Sequence, residues 1–172
     1  EIALKLLATI AIKENEIVLA ENYLLKANSL NPNNLWVANK LSILYAKSNK
    51  WKKAVDVFEK IKKLEDLDIK NNKANFLIKS GVNPIEVFKV SPESIPVAVS
   101  AIQFHISNDD DIKAYKILKL TWKKFEYINM VLEFMKQEGF NLKKSLKRYK
   151  LIYKALKPSI ESDETKIALA LA

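Results

Sequence analysis

Apolar residues recur along this chain every three or four positions, and the strict alternation of a half-buried strand is absent. That pattern predicts an all-α protein. Residues 2–13 and 16–30 read as two helices, the second with Ala20, Leu24 and Ala27 on one face and Pro32 behind it as a stop. A third spans 34–48, and a fourth runs from Trp51 to Leu64 with Ala54, Phe58 and Ile61 in line. Residues 68–80 carry Ala74, Leu77 and Ile78, with Gly81 placed after Ser80 as a cap. A short helix over 84–90 opens with Asn83-Pro84 at its first positions. Asp109 to Asp111 mark a further start, with acids at the positive end of the helix dipole. Helices over 126–138, 141–157 and 160–172 complete the chain.

The helices pair through short links, and the pairs repeat. Ala20 and Ala54 lie 34 residues apart, as do Leu24 and Phe58, Ala11 and Tyr45, and Leu7 and Leu41. Small residues at such places let two helices cross closely. The spacing, with Leu4, Leu7, Ala8, Ala11, Ala20, Leu24, Ala27 and Pro32 in one repeat, resembles the tetratricopeptide (TPR) pattern. The second repeat follows with Ala38, Leu41, Ser42, Tyr45, Ala54 and Phe58. The frame breaks after residue 66 and resumes with Ala98, Ala101, His105, Ala114, Leu118 and Thr121. Ala114 stands 60 residues after Ala54, eight short of two full repeats. The expectation is one continuous α-α solenoid of TPR-like helix-turn-helix repeats over 1–172, with about nine or ten helices.

Composition narrows the chemistry. Gly 2 excludes glycine-rich phosphate loops and dinucleotide fingerprints, Cys 0 excludes thiolate sites, and His 1 excludes paired imidazoles. No acid/base pair or nucleophile stands out, no cofactor site is expected, and the absences describe a scaffold better than an enzyme. The net charge is +9, but of the 29 basic residues only Arg148 is arginine. Arginine's fork is the preferred reader of phosphate and guanine, so nucleic acid is disfavoured as a partner. No segment has the 18 or so apolar residues of a membrane span. Both ends fall inside apolar helical patterns, so the chain reads as a piece of a longer protein.

Three stretches carry a closer likeness. They are Leu4-Lys5-Leu6-Leu7-Ala8 with Ala20-Glu21 and Asn31-Pro32 to Trp36; Asn49-Lys50-Trp51 with Ala54 and Leu64; and Ile95-Pro96-Val97-Ala98 through Lys113-Ala114 to Thr121-Trp122. Leu146-Lys147-Arg148-Tyr149 and Pro158 with Glu161-Ser162 continue it. The chain resembles the C-terminal TPR region of the proteobacterial HemY family, whose members are linked by gene context to haem biosynthesis. The family's proline-histidine-proline run after the second tryptophan is replaced here by Phe125-Glu126-Tyr127. The resemblance implies a protein-interaction scaffold, haem-pathway enzymes as partners, an N-terminal membrane anchor outside this sequence, and a soluble domain on the cytoplasmic side of a bacterial inner membrane. It brings no catalytic residues.

Two surfaces are candidates for binding. TPR arrays line their concave face with helix A, which here offers Lys5, Thr9, Ile12 and Lys13, then Trp36, Asn39, Lys40, Ile43 and Lys47, and later Val99, Gln103 and Ile106. Such a groove would hold a protein or peptide segment, or a second copy of the chain, with lysines for acidic groups and Trp36 as an anchor. The second candidate is a basic stripe, Lys143, Lys147, Lys150, Lys154 and Lys157, beside an apolar stripe of Leu142, Leu146, Tyr149, Tyr153 and Leu156. That helix is either ordinary, with the apolar stripe in the core, or a surface for RNA, anionic lipid or an acidic partner. His105 is expected as a packed core residue, Trp51 and Trp122 as packing residues, and Asp109 to Asp111 as helix caps rather than cation ligands.

Overall fold

The computed structural model describes residues 1–136 and 141–172. Among them every regular element is helical, and no strand forms. The helices are α1 (Ile2–Lys13), α2 (Ile17–Leu30), α3 (Leu35–Lys47), α4 (Trp51–Asp56), α5 (Leu67–Lys79), α6 (Pro84–Val90), α7 (Ile95–Ser107), α8 (Asp111–Phe125), α9 (Ile128–Met135), α10 (Leu142–Leu156) and α11 (Asp163–Leu171). A single 3-10 turn, Lys157–Ser159, follows α10. These are eleven α-helices among the described residues, against the nine or ten expected. Residues 137 and 138, expected at the end of a helix, lie outside the described ones.

Local chemistry accounts for most of the helix starts. The side chains of Asn34, Asp66, Asp110, Asn141 and Ser162 each accept a hydrogen bond from the backbone N–H three residues on. That satisfies one of the four donors that a helix leaves open at its start. Asn83 caps α6, and Pro84 takes the first helical position, where no donor is needed. At the end of α5, Gly81 has φ +99° and its N–H meets the carbonyl of Ile78 at 3.0 Å. A left-handed residue there favours glycine.

Helix α4 ends at Asp56, not at Leu64. Beyond it the N–H groups of Phe58, Glu59 and Ile61 reach back three residues rather than four, at 3.0–3.1 Å. Such tightening eclipses residues three apart. Phe58 and Ile61 therefore still share one side, which is why the apolar pattern runs on where the α-helix stops. Phe58 is 2% exposed, and Ile61 packs into its cluster.

Contacts divide the chain into two compact units, Glu1–Gly81 and Val82–Ala172. The boundary lies inside the stretch where the sequence frame breaks. In the first unit each helix packs on its successor, from α1 through α5. In the second, α7 meets α8 and α9, α8 also meets α10, and α9 meets α11.

Burial repeats along the frame. Ala20, Ala54 and Ala114 are all fully buried, as are Ala8, Ser42 and Ile102. Leucine at Ala20 or Ala54 would overpack the crossing and cost about 1–3 kcal/mol. The backbone repeats as well. Asn15, Asn49 and Asp109 have φ of 61°, 56° and 56°, each in the turn that joins two paired helices. The residue after each closes the same hydrogen bond five residues back: Glu16 to Ala11, Lys50 to Tyr45, and Asp110 to His105, at 2.8–2.9 Å. Asn and Asp are the side-chain-bearing residues that tolerate this conformation best.

Candidate functional site

The first unit brings part of the expected groove together. Trp36, in the first turn of α3, packs its indole partly into the core. The ammonium of Lys5, from α1, stands 5.1 Å from the ring centroid, and that of Lys40, one turn along α3, stands 5.8 Å away. Neither lysine forms an ion pair among the described residues. Two cations against one indole are held by the ring quadrupole, worth about 0.5–1 kcal/mol each at exposed sites. Their mutual repulsion leaves a place for an anion. On the same helix Asn39 holds a buried Oδ1 with no hydrogen-bond partner among the described residues.

The other groove residues are placed less favourably. Thr9 donates its hydroxyl to the carbonyl of Lys5 in its own helix, at 2.8 Å. Ile12 packs against the core cluster, and Ile43 is half-buried. Lys13 and Lys47 are exposed in the last turns of α1 and α3, where they complement the helix dipole. Gln103 belongs to the second unit, where its amide donates to Glu133 at 2.7 Å. Val99 is half-buried and Ile106 is buried, so Ile106 is a core residue rather than a groove residue.

The face that α10 buries differs from the expected one. Of the expected stripe Leu142, Leu146, Tyr149 and Tyr153 are exposed and Leu156 is buried, and the core takes Arg148, Ile152 and Ala155 beside it. The reason is Arg148. It is fully buried and donates from Nε to Asp111 Oδ1 at 2.9 Å, and from one terminal nitrogen to the carbonyl of Lys136. Its other terminal nitrogen is buried without a partner among the described residues. Asp111, itself buried at the start of α8, also receives Lys147 at 3.3 Å. Charge pairing thus turns the helix away from its own apolar stripe.

Of the basic stripe, Lys147 is committed to Asp111, and Lys143, Lys150, Lys154 and Lys157 are exposed. Lys144 pairs with Asp109. Asp109, Asp111, Asn141, Lys143, Lys144 and Lys147 line an open basin at the start of α10. The carboxyl of Asp109 is held below the usual range by its hydrogen bond to Lys144 and by the charge of that lysine.

His105 is buried, edge-on to Phe104, with Nδ1 4.0 Å from Asp110. Burial lowers its pKa. Trp122 is fully buried, and its Nε1–H is shared between Ser159 Oγ at 3.0 Å and Thr165 Oγ1 at 3.2 Å. Trp51 packs against Phe76 with ring centroids 6.2 Å apart. Asp110 caps α8, while Asp111 serves the buried ion pair. The described residues contain no group of three or more His, Asp or Glu side chains placed to hold a metal ion. None of the described helices is long and apolar enough to cross a membrane. No family model matches the chain, and no curated protein matches it at a significant level.

Proposed function

We propose that this chain is a non-catalytic protein-interaction scaffold of TPR-like repeats, binding an acidic segment of a partner at Trp36. The observation that carries the reading is the convergence of Lys5 and Lys40 on the indole of Trp36 without an ion-paired acid among the described residues. The 34-residue recurrence of burial, and of the left-handed Asn15 and Asn49 turns, supports the repeat assignment. The likeness to the HemY TPR region points to enzymes of haem biosynthesis as partners, at the cytoplasmic face of a bacterial inner membrane. The partner's apolar side chains would bury against the indole, and the lysines would steer its carboxylates. RNA binding through α10 has less support, because Asp111 and Asp109 engage Lys147 and Lys144.

A fluorescein-labelled peptide alternating Glu or Asp with Leu, titrated by fluorescence polarisation, tests the proposal. Truncating a central tryptophan typically costs 2 kcal/mol or more. Trp36→Ala should therefore weaken binding about thirtyfold, and Lys5→Gln with Lys40→Gln should reduce its salt dependence. Equal binding by wild type and both variants, with helicity intact, would refute it.

A further inference from the structure

Helix α10 divides its surface in three. One side, with Arg148, Ile152, Ala155 and Leu156, lies in the core. A second carries Lys143, Lys147, Lys150 and Lys154. Between them Leu142, Leu146, Tyr149 and Tyr153 run along the outside, exposed by 58, 52, 39 and 41%. Their spacing is four, three, four, which is the step of a coiled-coil seam. At 3.6 residues per turn the four side chains fall within an arc of roughly 60°.

The flanks of this seam are unequal. In heptad terms Leu142 and Tyr149 are d positions, and Leu146 and Tyr153 are a positions. Every e position on the outer flank is then lysine: Lys143, Lys150 and Lys157, all exposed and without an ion pair among the described residues. The inner flank, Ser145 and Ile152, turns toward the domain.

Width and charge select the occupant. A helix resting its side on a broad apolar phase carries an apolar sector of about 100° or more, and the narrower a/d seam is the signature of a helix–helix contact. A second copy fits poorly. Antiparallel pairing would set lysine against lysine, and parallel pairing would offer each lysine only Ser145 or Ile152. We propose that α10 docks an amphipathic helix of another protein, one with its own apolar seam at alternating three- and four-residue steps and acidic residues along its flanks. This surface is independent of the Trp36 site.

A fluorescein-labelled three-heptad peptide, with Leu at a and d and Glu at e and g, is a suitable probe, since its acidic flanks keep it from pairing with itself. Fluorescence polarisation should show binding that weakens with salt and falls at least about tenfold in Leu146→Glu with Tyr149→Glu, a loss of about 1.4 kcal/mol or more. Lys143→Glu with Lys150→Glu alters only exposed side chains. It should transfer preference to a peptide with Lys at e and g. Trp36→Ala should bind the acidic peptide as wild type does, which separates this surface from the groove. The proposal is overturned if the acidic peptide does not bind, if the lysine-flanked peptide binds wild type equally well, or if the charge swap leaves preference unchanged. It is also overturned if phosphatidylserine-containing vesicles or a single-stranded RNA 20-mer bind through α10 while the peptide does not.

Discussion

The Asp111–Arg148 pair gives the most demanding test of the packing described above. Arg148 is wholly enclosed, with Nε 2.9 Å from Asp111, one terminal nitrogen on a carbonyl and the other unpartnered among the described residues. Asp111→Asn keeps the volume and removes the one buried counter-charge among the described residues. Breaking a buried pair from one side costs about 3–5 kcal/mol. Arg148→Met should cost less, about 1.5–3 kcal/mol, the worth of a hydrogen bond to a charged group. The stranded carboxylate still has Lys147 at 3.3 Å and the start of α8, whose dipole contributes about 0.3–1 kcal/mol. The double variant removes both partners of the buried pair, and should lie within about 1 kcal/mol of wild type. The two sites would then couple by about 3 kcal/mol or more. Urea titrations in a Trp36→Phe, Trp51→Phe background report through Trp122 alone, whose buried indole belongs to the same unit. Single variants that each shift stability by less than about 1 kcal/mol, or a double variant equal to their sum, would refute the reasoning.

Two further outcomes are expected. Asn49→Val places a β-branched residue at φ 56° and should cost about 1–2 kcal/mol, whereas Asn49→Gly should be neutral or stabilising; denaturation midpoints that rank valine with glycine would contradict the recurring turn. Burial lowers the pKa of His105 from its ordinary 6.5, so its contribution to stability is full above pH 6.5 and declines as pH falls toward the folded-state pKa, where the unfolded chain takes the proton first. His105→Gln should lose less Tm than wild type between pH 7 and pH 5, and an equal loss would exclude this histidine as a source of the acid sensitivity.

The helices and their frame were legible because small residues and periodicity are local signals. Ala20, Ala54 and Ala114 mark the crossings with no knowledge of what lies opposite. The end of α4 was hidden because Phe58 and Ile61 fit a tightened turn as well as an α-helix. The buried side of α10 was hidden for a different reason. Amphipathicity ranks faces by their own apolarity, and the winning face holds an arginine neutralised from 37 residues away. One signal did point there: Arg148 is the single arginine among 29 basic residues, and arginine suits enclosed carboxylate pairs better than lysine. The left-handed turns had a signal too, in Asn15, Asn49 and Asp109 at matching places. The cluster at Trp36 was legible in part. Lys5 and Lys40 stand against its ring, while Thr9 and Gln103 found partners within the chain.

The tie from Trp122 to Thr165 spans 43 residues, and the tie from Asp111 to Arg148 spans 37. The first unit is built instead from helices that each touch the next in line. Contacts between sequence neighbours close small loops and form fast, while distant ones wait on a larger entropy loss. During synthesis the first unit can therefore assemble while the ribosome is still making the second. Until residue 165 has emerged, the indole of Trp122 lacks one of its two acceptors and Asp111 has been joined only recently by its counter-ion. Translation sets an order in which the amino-terminal half matures early and the carboxy-terminal half closes in a single late event.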